Sequence, residues 1–171
     1  MTHGSLHTAL ARLVATFEFG PRARPQLLDV RARWYCSFSP FQFALLFDAA
    51  ARLQPENFVV AIAVEARAPL LVVVMLLRLD RTRSLTLGAH GVNLINPQAG
   101  DMPDLESLSL HCYDAVLDGL LHSCSALHSL SISYLLLDSI TINLPLLEKL
   151  VLSATEELRR VVIIAPRHGR Q

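Results

Sequence analysis

MPDLESLSL (102–110), CSALHSLSI (124–132) and LPLLEKLVL (144–152) align without a gap. Each nonapeptide has an apolar residue at its fourth, seventh and ninth positions. These are Leu105, Leu108 and Leu110, then Leu127, Leu130 and Ile132, then Leu147, Leu150 and Leu152. A weaker copy, LDRTRSLTL (79–87), keeps the last two as Leu85 and Leu87. Alternation with a period of two makes a short strand with one buried face, and the first leucine packs where the chain turns into that strand. One such strand cannot bury its apolar side alone. Copies recurring every ~20–29 residues stack into a parallel sheet with a continuous core behind it.

The return segments follow from the same logic. Leu117, Leu120, Leu121 and Cys124 fall at i, i+3, i+4 and i+7, which predicts a helix with Asp114 or Asp118 at its first turn. SITINLP (139–145) alternates Ile140 and Ile142 before Pro145 and predicts an extended return. VVIIAP (161–166) repeats that shape, with Val161, Ile163 and Pro166 matching Ile140, Ile142 and Pro145 at a constant offset of 21. The strand expected after Pro166 is missing, so the pattern is read as ending in mid-repeat. The fold class expected is α/β: a leucine-rich-repeat solenoid, a curved parallel sheet with helical or extended returns. Repeats are expected over 58–171, after an irregular linker or cap over 1–57 whose apolar pattern is mixed.

With 171 residues the chain has room for one domain with a genuine core. Hydrophobic residues make up 52% and charged residues 18%, which favours a buried core over disorder. Fifteen basic residues balance fifteen acidic ones, arguing against a broad footprint for nucleic acid or an anionic membrane. The apolar stretch from Phe58 to Leu77 is broken by Glu65, Arg67 and Pro69. Each charge at mid-bilayer costs about 2.5–3.5 kcal/mol, so FVVAIAV and PLLVVVMLL are read as two buried strands and not as a membrane span. Arg12 interrupts the apolar N-terminal stretch and no small-residue cleavage pattern follows, so no signal peptide is expected. Three scattered cysteines (Cys36, Cys112 and Cys124) suit a reducing, intracellular compartment, cytoplasm or nucleus.

Residues 105–166, LESLSLHCYDAVLDGLLHSCSALHSLSISYLLLDSITINLPLLEKLVLSATEELRRVVIIAP, resemble the leucine-rich repeats of plant F-box/LRR proteins. The likeness is to the cereal group that mixes helical and extended returns. Asp118 to Leu127 resembles the cysteine-containing repeat subtype, and Trp34 before Ala49, Ala50 and Ala51 resembles that family's linker region. The resemblance implies a substrate-recognition module of an SCF ubiquitin ligase. In that family an N-terminal F-box docks on the adaptor Skp1. No leucine- and proline-rich F-box-like segment stands at this N-terminus, so Skp1 binding is not carried over. What the resemblance leaves is recognition of a protein partner. The other reading is a piece of a repeat array with no function of its own.

No residue pattern points to catalysis, a cofactor or a metal. His111, Cys112, His122, Cys124 and His128 lack the close pairs that zinc sites use, such as C-x2-C, and read as core and loop residues. The serines near His111 and His128 have no G-x-S-x-G elbow. GAHGVNLINPQAG (88–100) has no phosphate-loop pattern and reads as a turn-rich connection. Arg159, Arg160, Arg167 and Arg170 form a basic end, partly offset by Glu156 and Glu157, and read as a solvated face. The pattern does predict a surface. Ser84, Thr86, Ser107, Ser109, His111, Ser129, Ser131, Ser133, Lys149, Val151 and Ser153 flank the inward leucines and point to the concave side, where a protein partner is expected.

Overall fold

The computed structural model describes residues 25–31, 37–38, 40–64, 72–75, 79–90, 92–95, 102–111, 120–121, 124–133, 138–153 and 158–164, with Thr8, Arg12 and Ala15. They form an α/β fold built on parallel strands. In chain order these are β1 (Leu27–Arg31), β2 (Ser37–Phe38), α1 (Pro40–Leu53), β3 (Asn57–Val64), β4 (Val72–Met75), β5 (Ser84–His90), β6 (Val92–Ile95), β7 (Ser107–His111), β8 (Ser129–Ser133), β9 (Ser139–Ile142), β10 (Lys149–Ser153) and β11 (Arg160–Ile163). The main sheet runs β1-β3-β5-β7-β8-β10, and β2 pairs with the far end of β3. The intervening strands pair among themselves, β4 with β6 and β9 with β11. Every pairing is parallel. Parallel neighbours need a crossover, and here the crossovers carry the second set of strands.

The four nonapeptides all build the same local structure. Their fourth residues, Thr82, Leu105, Leu127 and Leu147, donate their N–H to the carbonyls of the first, Leu79, Met102, Cys124 and Leu144. That tight turn aims the chain into the strand. Leu85, Leu108, Leu130 and Leu150 are Cα partners across four strands, and so are Leu87, Leu110, Ile132 and Leu152. In β5, β7 and β8 these residues are buried and belong to one apolar core. Fully burying each such side chain stabilises the fold by about 1.5–3 kcal/mol. The first positions, Leu79, Met102, Cys124 and Leu144, are buried too, a regularity the fourth-seventh-ninth pattern leaves out.

Thr82 stands where the other copies have leucine. It is fully buried, and its hydroxyl donates to the Pro55 carbonyl at 2.8 Å. Ahead of it, α1 supplies Leu46, Phe47, Ala49, Ala50 and Leu53 to the core. Phe47 meets Phe58 of β3 edge to face, with ring centroids 5.3 Å apart. Proline suits the first position of that helix, where its missing N–H costs nothing. The helix stops at Gln54, whose φ of 49° is the left-handed closure usually given to glycine. The Gln54 side chain donates to the Ala51 carbonyl and accepts from the Arg81 N–H. Pro55 then prevents a further turn. The boundary expected between residues 57 and 58 falls at the start of β3, and 27–53 contribute β1 and α1 to the same sheet and core.

The extended returns behave as their pattern predicts: β9 and β11 pair with Val161 on Ile140 and Ile163 on Ile142. FVVAIAV lies in β3, and four residues of PLLVVVMLL form β4. GAHGVNLINPQAG departs from the expected turn-rich connection. Its first three residues complete β5 and Val92–Ile95 form β6, because β3 and β4 offer parallel partners that the local sequence does not reveal. A Cβ added at Gly88 would lie 3.7 Å from the Val60 carbonyl oxygen and the Ala61 Cα, an ordinary contact, so the strand has room for a side chain there. Of the predicted helix after Leu110, Leu120 and Leu121 are helical and buried; Asp114, Leu117 and Asp118 lie outside the described residues. Trp34 and Pro166 lie outside them as well. Among the described residues no helix is long and apolar enough to cross a membrane.

Candidate functional site: the outer face of the parallel sheet

Strand alternation turns one residue in two away from the core, and parallel register lines those residues up between strands. Three rows result. The first is Leu27, Asn57, Ser84, Ser107, Ser129 and Lys149. The second is Asp29, Val59, Thr86, Ser109, Ser131 and Val151, and the third Arg31, Ala61, Gly88, His111, Ser133 and Ser153. All the face residues anticipated from the repeats therefore share one surface. The sequence pattern missed the β1 and β3 columns, whose outward residues follow no leucine motif. Their alternation (Leu28 and Val30; Phe58, Val60 and Ile62) was the available signal.

The middle of this face is small and hydroxyl-rich, and charge sits at its ends. Asp29 and Arg31 pair at 2.9 Å on β1, and Lys149 stands on β10. Ser84, Thr86, Ser107, Ser109, His111, Ser129 and Ser131 are half-buried, Ser133 is buried, and Lys149, Val151 and Ser153 are exposed. Ser133 and Ser153 share a hydrogen bond of 2.7 Å between their hydroxyls. Ser109 Oγ lies 3.3 Å from His111 Nε2. The latter pair resembles a nucleophile and its base, but β7 is hydrogen-bonded to β5 on one side and to β8 on the other. Its backbone donors are thus engaged within the sheet and make no oxyanion hole.

A second feature borders the face where the chain enters the strands. The Glu56 carbonyl accepts the N–H groups of Arg83 and Ser84, that of Arg83 accepts those of Glu106 and Ser107, and that of Glu106 accepts those of His128 and Ser129. The His128 carbonyl continues the series to Glu148 and Lys149. Side chains alternate in charge along this rim, with Arg83 Nε 3.9 Å from a carboxylate oxygen of both Glu56 and Glu106. An open depression of about 480 Å³ lies here, lined among others by Gln26, Glu56, Arg81, Arg83 and Asp104. It is polar, of mixed sign and set beside the three rows, not on them.

Of the histidine–cysteine group, His111, Cys124 and His128 are described. Cys124 is buried, and its thiol donates to the Leu120 carbonyl at 3.2 Å. Burial pushes its pKa up to about 12, so at neutral pH it is a protonated core group. His111 lies on the sheet face and His128 on the rim; Cys112 and His122 lie outside the described residues. Among the described residues no three His, Cys, Asp or Glu side chains group closely enough to hold a metal ion. At the basic end, Arg159 is exposed and sits 3.9 Å from Asp138. Arg167 and Arg170 are outside the described residues.

No protein-family model, curated protein or solved structure matches the chain.

Proposed function

We propose that the chain is a non-catalytic protein-interaction module, a leucine-rich-repeat solenoid that presents its three-row face to a protein partner. The observation that supports this most is the register: equivalent leucines align across β5, β7, β8 and β10 while the residues between them form one continuous surface, hydroxyl-rich on β5, β7 and β8. A stack that buries its leucines in this way leaves the alternate positions free to be chosen for recognition. By its resemblance to plant F-box/LRR proteins, the module is a substrate-recognition part of an SCF ubiquitin ligase. Ser107, Ser109, His111, Ser129, Ser131, Ser133, Lys149, Val151 and Ser153 are then the partner contacts.

The test compares two surfaces of one protein. Ser109→Arg and Ser131→Arg place bulk and charge on the face; Thr141→Arg places the same group on exposed β9 as a control. The chain and its variants, matched for circular dichroism, are used to capture proteins from a plant extract. A protein retained by wild type and Thr141→Arg but lost by both face variants supports the proposal. Equal capture by all four would sink it. Purified Skp1 is expected not to bind the 171-residue chain, and its binding would show that the chain holds an adaptor site the reading lacks.

A further inference from the structure

Burial falls away towards β10 and β11. Leu108 and Leu130 are fully buried, but their register partner Leu150 is only half-buried, and Leu152 likewise against Leu110 and Ile132. Behind them, Ile140 and Ile142 are 2% and 0% exposed, whereas Val161 and Ile163, paired with them on β11, are 41% and 55% exposed. The residue types and the register match, and what differs is position: among the described residues no strand lies on the outer side of β10 or of β11. Leu146, Val151 and Ile164 extend this apolar end. Among the described residues, β10 is the last strand of its sheet and β11 an outer strand of its pair, so each has one edge with no strand beside it. An open parallel-sheet edge next to exposed apolar side chains is a template for pairing.

We propose that this end is a homodimer interface in which β10 pairs antiparallel with β10 of a second copy, about a two-fold axis at Val151. The sequence of the strand, Lys149–Ser153, is what points to a second copy. Paired with itself in this register, Val151 faces Val151, Leu150 faces Leu152 and Lys149 faces Ser153. On the core side two leucine pairs form; on the outer side the one charge of the strand meets a hydroxyl. Centring the pairing on Lys149 instead would set two ammonium groups opposite each other, a destabilising arrangement. A shift of one residue would turn leucines against outward residues. The two-fold arrangement closes after two copies and covers the β10 edge of each. Head-to-tail stacking of β10 on β1 would leave an edge free each time and run on as a filament. Lys149, Val151 and Ser153 are also the β10 column of the three-row face, so the pairing borders the surface proposed for a partner and is tested by association state, not by capture.

The experiment is light scattering after size exclusion on the full chain, over a wide concentration range, with Val151→Glu and Val151→Lys. Val151 is 39% exposed, so neither charge has to enter the core, and circular dichroism checks that both variants fold. Wild type is expected at twice the chain mass. Each variant places like charges across the two-fold axis and weakens association by at least about tenfold. Mixing the two variants restores a dimer containing one of each. A monomeric wild type, a dimer indifferent to both variants, failure of the mixture to restore it, or an open-ended series of larger species would each overturn the proposal.

Discussion

Thr82 shows how one residue departs from a pattern and is retained. Its position carries leucine in the three other copies, yet here a hydroxyl is fully buried and satisfied by the Pro55 carbonyl. Replacing it with the leucine of its neighbours, Thr82→Leu, is expected to destabilise the chain by about 1–3 kcal/mol, because the carbonyl loses its donor inside the core. Urea unfolding measures this; an unchanged or raised midpoint would mean water takes the place of the hydroxyl. Cys124 carries a different consequence. Its pKa is raised from 9.0 to about 12 by burial, so the folded thiol keeps its proton where the unfolded one loses it. The contribution to stability is complete below pH 9.0 and declines as pH rises from there towards 12. In native protein at pH 8 the thiol is expected to resist iodoacetamide and to react only on unfolding, as peptide mass mapping would show.

The elements differ in how completely they are enclosed, and equal substitutions should expose the difference. Leu130→Ala on β8 removes a fully buried side chain and is expected to cost about 2–5 kcal/mol. Leu150→Ala, the same position on β10, is expected to cost clearly less, since that leucine is only half-buried. Equal losses in denaturant unfolding would mean that β10 is covered as well as β8. The rim belongs to this scale too. Arg83 lies between Glu56 and Glu106, and His128 takes the corresponding place between Glu106 and Glu148. His128→Arg extends the alternation and is expected to add about 0.2–1 kcal/mol at low salt, fading as salt screens the exposed pairs. A gain that persists in high salt would point to packing instead of charge.

For the whole molecule, a parallel sheet whose neighbours cover one another leaves two ends without neighbours. At the β10 end, burial decreases and apolar residues reach solvent. If a second copy covers that end, the folded state is linked to association, and the melting temperature of wild type is expected to rise with protein concentration. Val151→Glu should melt at a temperature independent of concentration. A wild-type midpoint that stays fixed while the concentration changes would speak against the dimer. The three-row face is separate in composition: small hydroxyls at its centre, with charge confined to β1 and β10. Under the proposed function, recognition there would rely on fit and hydrogen bonding more than on long-range attraction, in keeping with the chain's balanced charge.

The sequence by itself determined which residues are inward on β7, β8, β9 and β10 and which residues of the leucine strands share the outer face. A strand's two sides alternate with a period of two, so leucines at fixed spacing define the core side locally. The same alternation made β9 and β11 legible through Ile140, Ile142, Val161 and Ile163. Tertiary structure alone decided the rest. It placed β1 and β3 beside the leucine strands, extended β5 through Gly88–His90 and made a strand of Val92–Ile95 where glycine and asparagine suggest turns, and satisfied Thr82 through a carbonyl 27 residues away. It also separated Val161 and Ile163 from Ile140 and Ile142, which are alike in sequence and unlike in burial. Periodicity specifies the direction in which a side chain points, but only the presence or absence of a neighbouring strand decides whether anything lies there to cover it.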